Sequence, residues 1–259
     1  MRFSAVLPVA VLYASILSIG AHAADISSIP TEPIAKKKEL LFKDNFKGAV
    51  HDKRWHDVVE TFSFEKGYLK GTQTRDHDVV GPDGKVTSTP HAAVYGLEIP
   101  THNTVIECKI RFEGANLIDV EFDDRKFTGS HYGHLCRAQV KLDRVIMVDE
   151  RDGSQSNELI ELRKDSVRNK AAISRLLAEH SASYPIKLVA HKWYKLCVET
   201  VEDEMRVTID GKPAGYLKSA GIGHVTKSKI EFGVGGKDGW YTDVKVWNAE
   251  PASAETSEN

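Results

Sequence analysis

The chain has 259 residues, 35 Lys and Arg against 37 Asp and Glu, and a formal net charge of −2. That balance leaves no basic field for a nucleic-acid partner. The 11 His leave room for acid–base or metal chemistry, and the 3 Cys show no CxxC spacing.

Met1-Arg2-Phe3 leads into an apolar run from Ala5 to Ile19, followed by Ala21-His22-Ala23, a small-x-small cleavage signal. The run contains Pro8 and falls short of the ~20 residues a spanning helix needs. Residues 1–23 therefore read as a secretory signal peptide. This predicts a secreted or periplasmic protein with no membrane association after cleavage. Residues 24–38, rich in Ser, Pro, Thr and Lys, read as a disordered linker. Residues 39–249 have the size of one all-β domain, and residues 250–259 read as a disordered tail.

From Leu40 onward the hydrophobic period is mostly two. LLFKDNF opens a strand, and FSFEKGYLKGTQ alternates around a Lys66-Gly67 turn. GPDGKV is a loop tip. AAVYGLEI and TVIECKIRF are strands. In the latter, Ile106, Cys108, Ile110 and Phe112 share a core face, opposite Glu107, Lys109 and Arg111. NLIDVEFDD follows after Gly114 as an antiparallel neighbour, and HLCRAQVKL and RVIMVD form the next pair. From Asn157 to His180 the apolar residues Leu159, Ile160, Leu162, Val167, Ile173, Leu176 and Leu177 are spaced for amphipathic helix. The run starting at Trp193 is a long hairpin with turns near Asp203 and at Asp210-Gly211. KIEFGVGG and WYTDVKVW close the pattern. Roughly twelve strands with short turns and one helical insert describe a two-sheet sandwich. Trp55 and Trp247 read as core. Each cysteine falls in a strand and reads as a buried free thiol, with one disulfide plus one free thiol the alternative.

The candidate chemistry centres on Asp119, Glu121 and Asp123. Alternation places them on one face, opposite Val120 and Phe122. Two readings compete: an exposed acidic strand paired across the sheet with Lys109 and Arg111, which is the commoner use of such a ladder, or a binding or catalytic face. About ten residues separate Asp123 from His134, too few for a parallel crossover. The strand carrying His134, Arg137 and Gln139 is therefore the antiparallel neighbour, and these residues join the acids in one patch with His131 or His134 at its rim. A loop-borne His beside carboxylates can act as general base or metal ligand, and Arg137 can clamp a carboxylate or a hydroxyl pair. His77, His91 and His224 lie in loops and read as surface. Trp193, Tyr194, Trp240 and Tyr241 are candidates for stacking on sugar rings. Asp123-Asp124 and Asp149-Glu150 with Asp152 offer oxygens for Ca²⁺, as a weak signal.

LLFKDNF with Trp55, FSFEKGYLKG, VIECKIRFEG, the hairpin from Trp193 to Leu217 and the closing WYTDVKVW together resemble the 3-keto-disaccharide hydrolase domain family over about Leu40 to Trp247. GSHYGH and SAGIGHVTK mark a divergent subgroup. The resemblance implies an all-β, concanavalin A-like jelly-roll sandwich of two antiparallel sheets and a carbohydrate partner. The acid ladder also resembles the alternate-residue Glu-x-Asp-x-Glu of family 16 glycoside hydrolases, with Asp and Glu exchanged. The expected function is a glycoside-cleaving hydrolase or lyase acting on 3-keto-glycosides. Glu121, Asp123 and His134 are the catalytic candidates. Asp119, His131, Arg137, Gln139, Arg111 and Trp240 are the substrate-binding ones. A non-catalytic glycan-binding module and a structural or adhesion domain are the alternatives.

Overall fold

The computed structural model describes residues 24–252 except Glu60 and Lys66. Residues 1–23, expected to be a signal peptide, and residues 253–259 lie outside the described residues. The strands are β1 (Ala35–Asp44), β2 (Trp55–Val59), β3 (Phe62–Glu65), β4 (Tyr68–Thr72), β5 (Val79–Val80), β6 (Val86–Ser88), β7 (Ala93–Thr101), β8 (Thr104–Asp123), β9 (His134–Val140) and β10 (Arg144–Asp149). Helices α1 (Asn157–Arg163) and α2 (Lys170–Glu179) follow, then β11 (Ser181–Pro185), β12 (Trp193–Val201), β13 (Glu204–Ile209), β14 (Lys212–Lys218) and β15 (Lys227–Pro251).

Two long strands build both layers. The first halves of β8 and β15 lie in different layers, because each strand folds over near its middle. Gly114 (φ 116°) and Gly236 (φ 82°) supply the left-handed backbone there, and Lys237 packs on Gly114. The first sheet runs β14-β13-β12, the first half of β8, the second half of β15, then β1 with β4 and β3 alongside. The second runs β11-β10-β9, the second half of β8, the first half of β15, β7 and β2. All these pairings are antiparallel.

The core lies between the layers. Ile106, Ile110, Phe112 and Tyr241 from the first sheet meet Ile118, Val120, Phe122, Phe232 and Val234 from the second. Tyr241 carries its hydroxyl across the core and donates to Asp119 O (2.8 Å) and Gly233 O (2.6 Å). At one end Trp55 packs edge-on against Phe42 and Phe232 (5.5 and 5.4 Å between ring centres). Each large apolar side chain so buried contributes about 1.5–3 kcal/mol relative to exposure. Trp55 is core as expected, whereas Trp247 is only half-buried, packed against Ala35, Val105 and Val201 under Lys37. All three cysteines are free thiols; Cys108 and Cys136 are buried and Cys197 is partly so.

Three expectations change, one of them the tail: Glu250 and Pro251 belong to β15 and pair with Lys36 and Ala35. The stretch 24–38 is not a disordered linker. Ile29 is in the core, Arg206 donates to Pro30 O and Thr31 O, and β1 begins at Ala35, pairing with the chain's end at Pro251. Polar composition hid the fact that edge pairing ties this segment down. The helical insert is real but divided. Ser156 caps α1 by accepting from Leu159 N at 3.1 Å, and α2 is separate, with Val167 exposed between them.

Candidate active site

Alternation along β8 turns Asp119, Glu121 and Asp123 away from the core, onto the outer face of the second sheet. Register then gathers their neighbours. Glu121 lies opposite Arg137 and Asp123 opposite His134 on β9, and Gln139 lies opposite Asp119. On the other flank β15 sets Glu231 opposite Glu121 and Lys229 opposite Asp123. The expected patch of Asp119, Glu121, Asp123, Arg137 and Gln139 therefore forms, with His134 inside it. The ring of His131 stands beside His134, centres 5.9 Å apart.

The acids are not solvated. Asp123 is 0% exposed and Glu121 only 3%. The loop after β8 folds back over its end through Asp124 N to Gly133 O (2.9 Å), and it is tied to the turn after β10 by His131 N donating to Gln155 O (2.8 Å). From that turn Glu150 reaches in to Arg137 (3.1 Å). Nor do Lys109 and Arg111 pair with the acids. The fold-over at Gly114 carries them to the other sheet, where Lys109 meets Asp243 (2.7 Å) and Arg111 meets Glu113.

Buried carboxylates need compensation, and three cations supply it. Arg137 contacts Glu121 (2.7 Å), Glu150 (3.1 Å) and Asp119 (3.4 Å). His134 Nδ1 bridges Glu121 and Asp123, the latter at 3.0 Å. Lys229 bridges Glu231 and Asp123, the latter at 3.0 Å. These contacts push the acids apart in acidity. Burial alone would raise Glu121, but the charges of Arg137 and His134 outweigh it and hold its carboxyl well below the usual range. Burial, together with the charges of Glu121 and Asp123, pushes Glu231 up to about 7. Burial also pushes Asp119 up to about 6 against the pull of Arg137, and it raises Glu150 well above its usual value. Burial disfavours the imidazolium of His134, yet Glu121 and Asp123 raise it to about 12. His134 is thus a fixed cation at neutral pH.

One ligand atom each from Glu121, Asp123, His134 and Glu231 lie within 4.8 Å of one another. This set could also hold a metal ion, in competition with the Lys229 ammonium. The Ca²⁺ oxygens expected at the two Asp-rich turns are committed elsewhere. Asp124 accepts from Lys126 N (3.0 Å) and meets His224 (3.2 Å). Asp149 accepts from Asp152 N (3.0 Å) and Gly221 N (2.9 Å).

Arg111 and Trp240 sit on the outer face of the first sheet, away from the acids, because β8 and β15 fold over between the two places. Tyr194 and Tyr241 are buried and cannot stack on a ligand. His77 is exposed. His91 is half-buried, and its nitrogen Nδ1 meets Ala92 O at 2.7 Å. Charges at Arg137 and Glu121 act on it, which places it near the cluster. Sequence reasoning missed Glu231 and Lys229. The signal was present in KIEFGV, where Ile230, Phe232 and Val234 alternate with Lys229, Glu231 and Gly233. Gly233 has its own role: a Cβ there would overlap Asp119 Oδ1, so glycine lets that carboxyl lie across β15.

Compared with solved structures, the chain matches an endo-β-1,3(4)-glucanase of family GH16, SCLam, with TM-score 0.54 at 9% identity, over 87% of this chain and 99% of that one. The fold is the concanavalin A-like jelly roll. The laminarinase catalytic domain of Thermotoga maritima matches with TM-score 0.53 at 12% identity, over 82% and 99% of the two chains. Porphyranase B of Zobellia galactanivorans matches with TM-score 0.53 at 11% identity, over 85% and 99%. No protein-family model and no curated protein sequence matches the chain. At these identities the jelly roll is what the chain shares with glycoside hydrolases.

Proposed function

We propose that this is an exported carbohydrate-active hydrolase that cleaves glycosidic bonds at the outer face of its second sheet. The observation that carries the reading is the pairing of Glu121 with Glu231 on adjacent strands, inside a group whose polar atoms lie within 4.8 Å. Retaining glycosidases hold their two carboxyls about 5–5.5 Å apart, whereas inverting ones leave roughly 6.5–9.5 Å for a water. One oxygen from each carboxyl falls within that 4.8 Å limit, nearer to the retaining separation than to the inverting one, and the reading adopted is a retaining double displacement. Divergent acidity assigns the roles. Glu121, held ionised, is the nucleophile for the anomeric carbon, and because it is only 3% exposed the scheme requires the loop over the end of β8 to move aside for the sugar. Glu231, protonated up to about pH 7, gives its proton to the leaving oxygen and then takes one from the incoming water. His134 and Lys229 keep the remaining charge balanced, and Arg137, whose side chain is 17% exposed, orients the sugar. His134 as acid or base gives way to this scheme, because its imidazole stays charged.

We take 3-keto-glycosides as the substrate to test, on the resemblance read in the sequence alone, which no protein-family model supports. Their carbonyl acidifies the neighbouring C–H, so elimination is the competing route to the same cleavage. The test compares turnover of a 3-keto-glycoside and its parent glycoside by wild type, Glu121→Gln and Glu231→Gln. Loss of a positioned acid or base lowers turnover about 10²–10⁴-fold. Melting is followed alongside, since Glu121→Gln strips Arg137 and His134 of a counter-charge and lowers stability. Glu231→Gln, a smaller electrostatic loss, is the decisive variant. Full activity in a folded Glu231→Gln protein contradicts the assignment.

A further inference from the structure

The outer face of the second sheet is crossed by a side chain that the acid cluster does not use. Strand register sets Asp123, Lys229 and Glu98 in one row across β8, β15 and β7. The next row holds Glu121, Glu231, Gly96 and His56 and ends on β2. Arg125 follows Asp123 by two residues, in the loop between β8 and β9, and its backbone N–H donates to Ser228 Oγ at 2.9 Å. The side chain passes over β15 to β7. There Nε donates to Glu98 Oε1 (2.9 Å), Nη2 meets the same oxygen, and Nη2 lies 3.0 Å from His56 Nε2. His56 reaches this point because Gly96 has no side chain, and a Cβ there would overlap the imidazole. The guanidinium thus touches one residue in each row, on the β7 flank of Glu231. Its hydrogen bond to Glu98 is the main cause that raises its pKa, and the charges of Glu231 and Asp123 add to it.

Glu231 is 2% exposed, yet the side chain of Arg125 is 52% exposed and that of Glu98 40%. So open an ion pair is weak, and an exposed side chain changes rotamer within nanoseconds. The loop's other ties are of a different kind. Its far half is held largely by backbone: His131 N donates to Gln155 O and Asn157 N to Gly129 O (3.1 Å), with Asn157 Nδ2 donating to Thr128 O (3.0 Å). Its base is held by Asp124 N on Gly133 O, and by His224 against Asp124 (3.2 Å) and the Phe127 ring (4.8 Å between centres). Those contacts join the loop to the turn between β10 and α1 and to the segment before β15. Arg125 carries it across β15.

We propose that Arg125 is a strap over the acid cluster, whose release from Glu98 and His56 frees the near half of the loop and opens Glu231 to the incoming glycoside. Its return shuts the pair away from water, as closing loops do in other enzymes. The inference rests on the reading of Glu121 and Glu231 as the cleaving pair, and it names the contact that breaks when a sugar enters.

The test compares the full protein as wild type, Arg125→Ala, Arg125→Lys and Glu98→Ala, with two readouts. One is hydrogen exchange of the backbone amides in the loop from Asp124 to Gly133. The other is the initial rate at which a water-soluble carbodiimide couples glycinamide to Glu231, followed by peptide mass spectrometry. Open ion pairs hold weakly, so Arg125→Ala and Glu98→Ala should speed both by about threefold to fivefold. Arg125→Lys, which keeps the charge and loses the fork, should fall between them and wild type. Exchange along β12 should stay as in wild type. Unchanged loop exchange overturns the proposal. So does faster loop exchange with an unchanged coupling rate at Glu231, which would make Arg125 a tether and not a cover. Equal acceleration in β12 also overturns it, because Arg125 would then support the whole fold. Neither readout depends on turnover, so full activity of Glu231→Gln would refute the cleaving pair without touching these rates.

Discussion

Replacing Arg137 with Met removes the guanidinium that faces Asp119, Glu121 and Glu150 at 3.4, 2.7 and 3.1 Å while keeping similar bulk. The acids it leaves are at most 3% exposed. Breaking a buried ion pair from one side costs about 3–5 kcal/mol. In a domain of this size each kcal/mol moves the melting point by about 2–4 °C, so a fall of roughly 6–20 °C is expected at pH 8. The sign of the pH dependence follows from the same contact. In wild type the pKa of Glu121 lies below its unfolded value, so its contribution is present above that value and lost as pH falls. Without Arg137 the folded-state pKa of these carboxyls rises, and a raised carboxyl favours the fold at low pH and opposes it as pH climbs. The gap between variant and wild type should therefore shrink by at least about 1 kcal/mol between pH 8 and pH 5. Urea unfolding at the two pH values measures it. A penalty under about 1 kcal/mol that is equal at both would show that the acids are solvated and that Arg137 is dispensable.

Glu231 at about 7 predicts a second pH effect: kcat/KM should fall as pH rises past about 7, and Glu231→Gln should remove that limb along with activity. Gly133 has φ 81°, and a Cβ there would overlap Asp124 O, so Gly133→Ala should cost about 2–4 kcal/mol in thermal or urea melts. Gly84 has φ 76° with open space around it, and Gly84→Ala should cost only about 1–2 kcal/mol; equal losses would contradict the overlap. Thiol titration of the denatured protein without reductant should find all three cysteines, and native titration should be slow because burial raises every one of them.

Much of this site was legible before the fold. Alternation in NLIDVEF separates Val120 and Phe122 from the acids, and the short connection from Asp123 to His134 fixes β9 as the antiparallel neighbour. That Arg137 and Gln139 share a face with the acids follows from those two facts, whereas the pairing of Arg137 with Glu121 is set by a register shifted between Phe122 and Asp123. The rest depends on contacts distant in sequence. Glu231 arrives from a strand more than a hundred residues later, and only register brings it opposite Glu121. Burial of the acid face was not legible, because it depends on Glu150 and on a loop that folds back through Gly133. The single expected site also divided. Gly114 reads as a turn between two strands, but it reverses β8 onto the second sheet, and so Arg111 and Trp240 end on the far side of the sandwich.

The measurement that tests the account most directly is the anomeric configuration of the first product, followed by proton NMR from the first minutes of hydrolysis. The glycoside used is one the enzyme turns over. Glu121 and Glu231, on neighbouring strands within the same 4.8 Å group, stand closer than the separation that inverting enzymes keep for their water. The product should therefore keep the configuration of the substrate. An inverted product, or an unsaturated 3-keto sugar formed by elimination, would contradict the double displacement assigned to this pair.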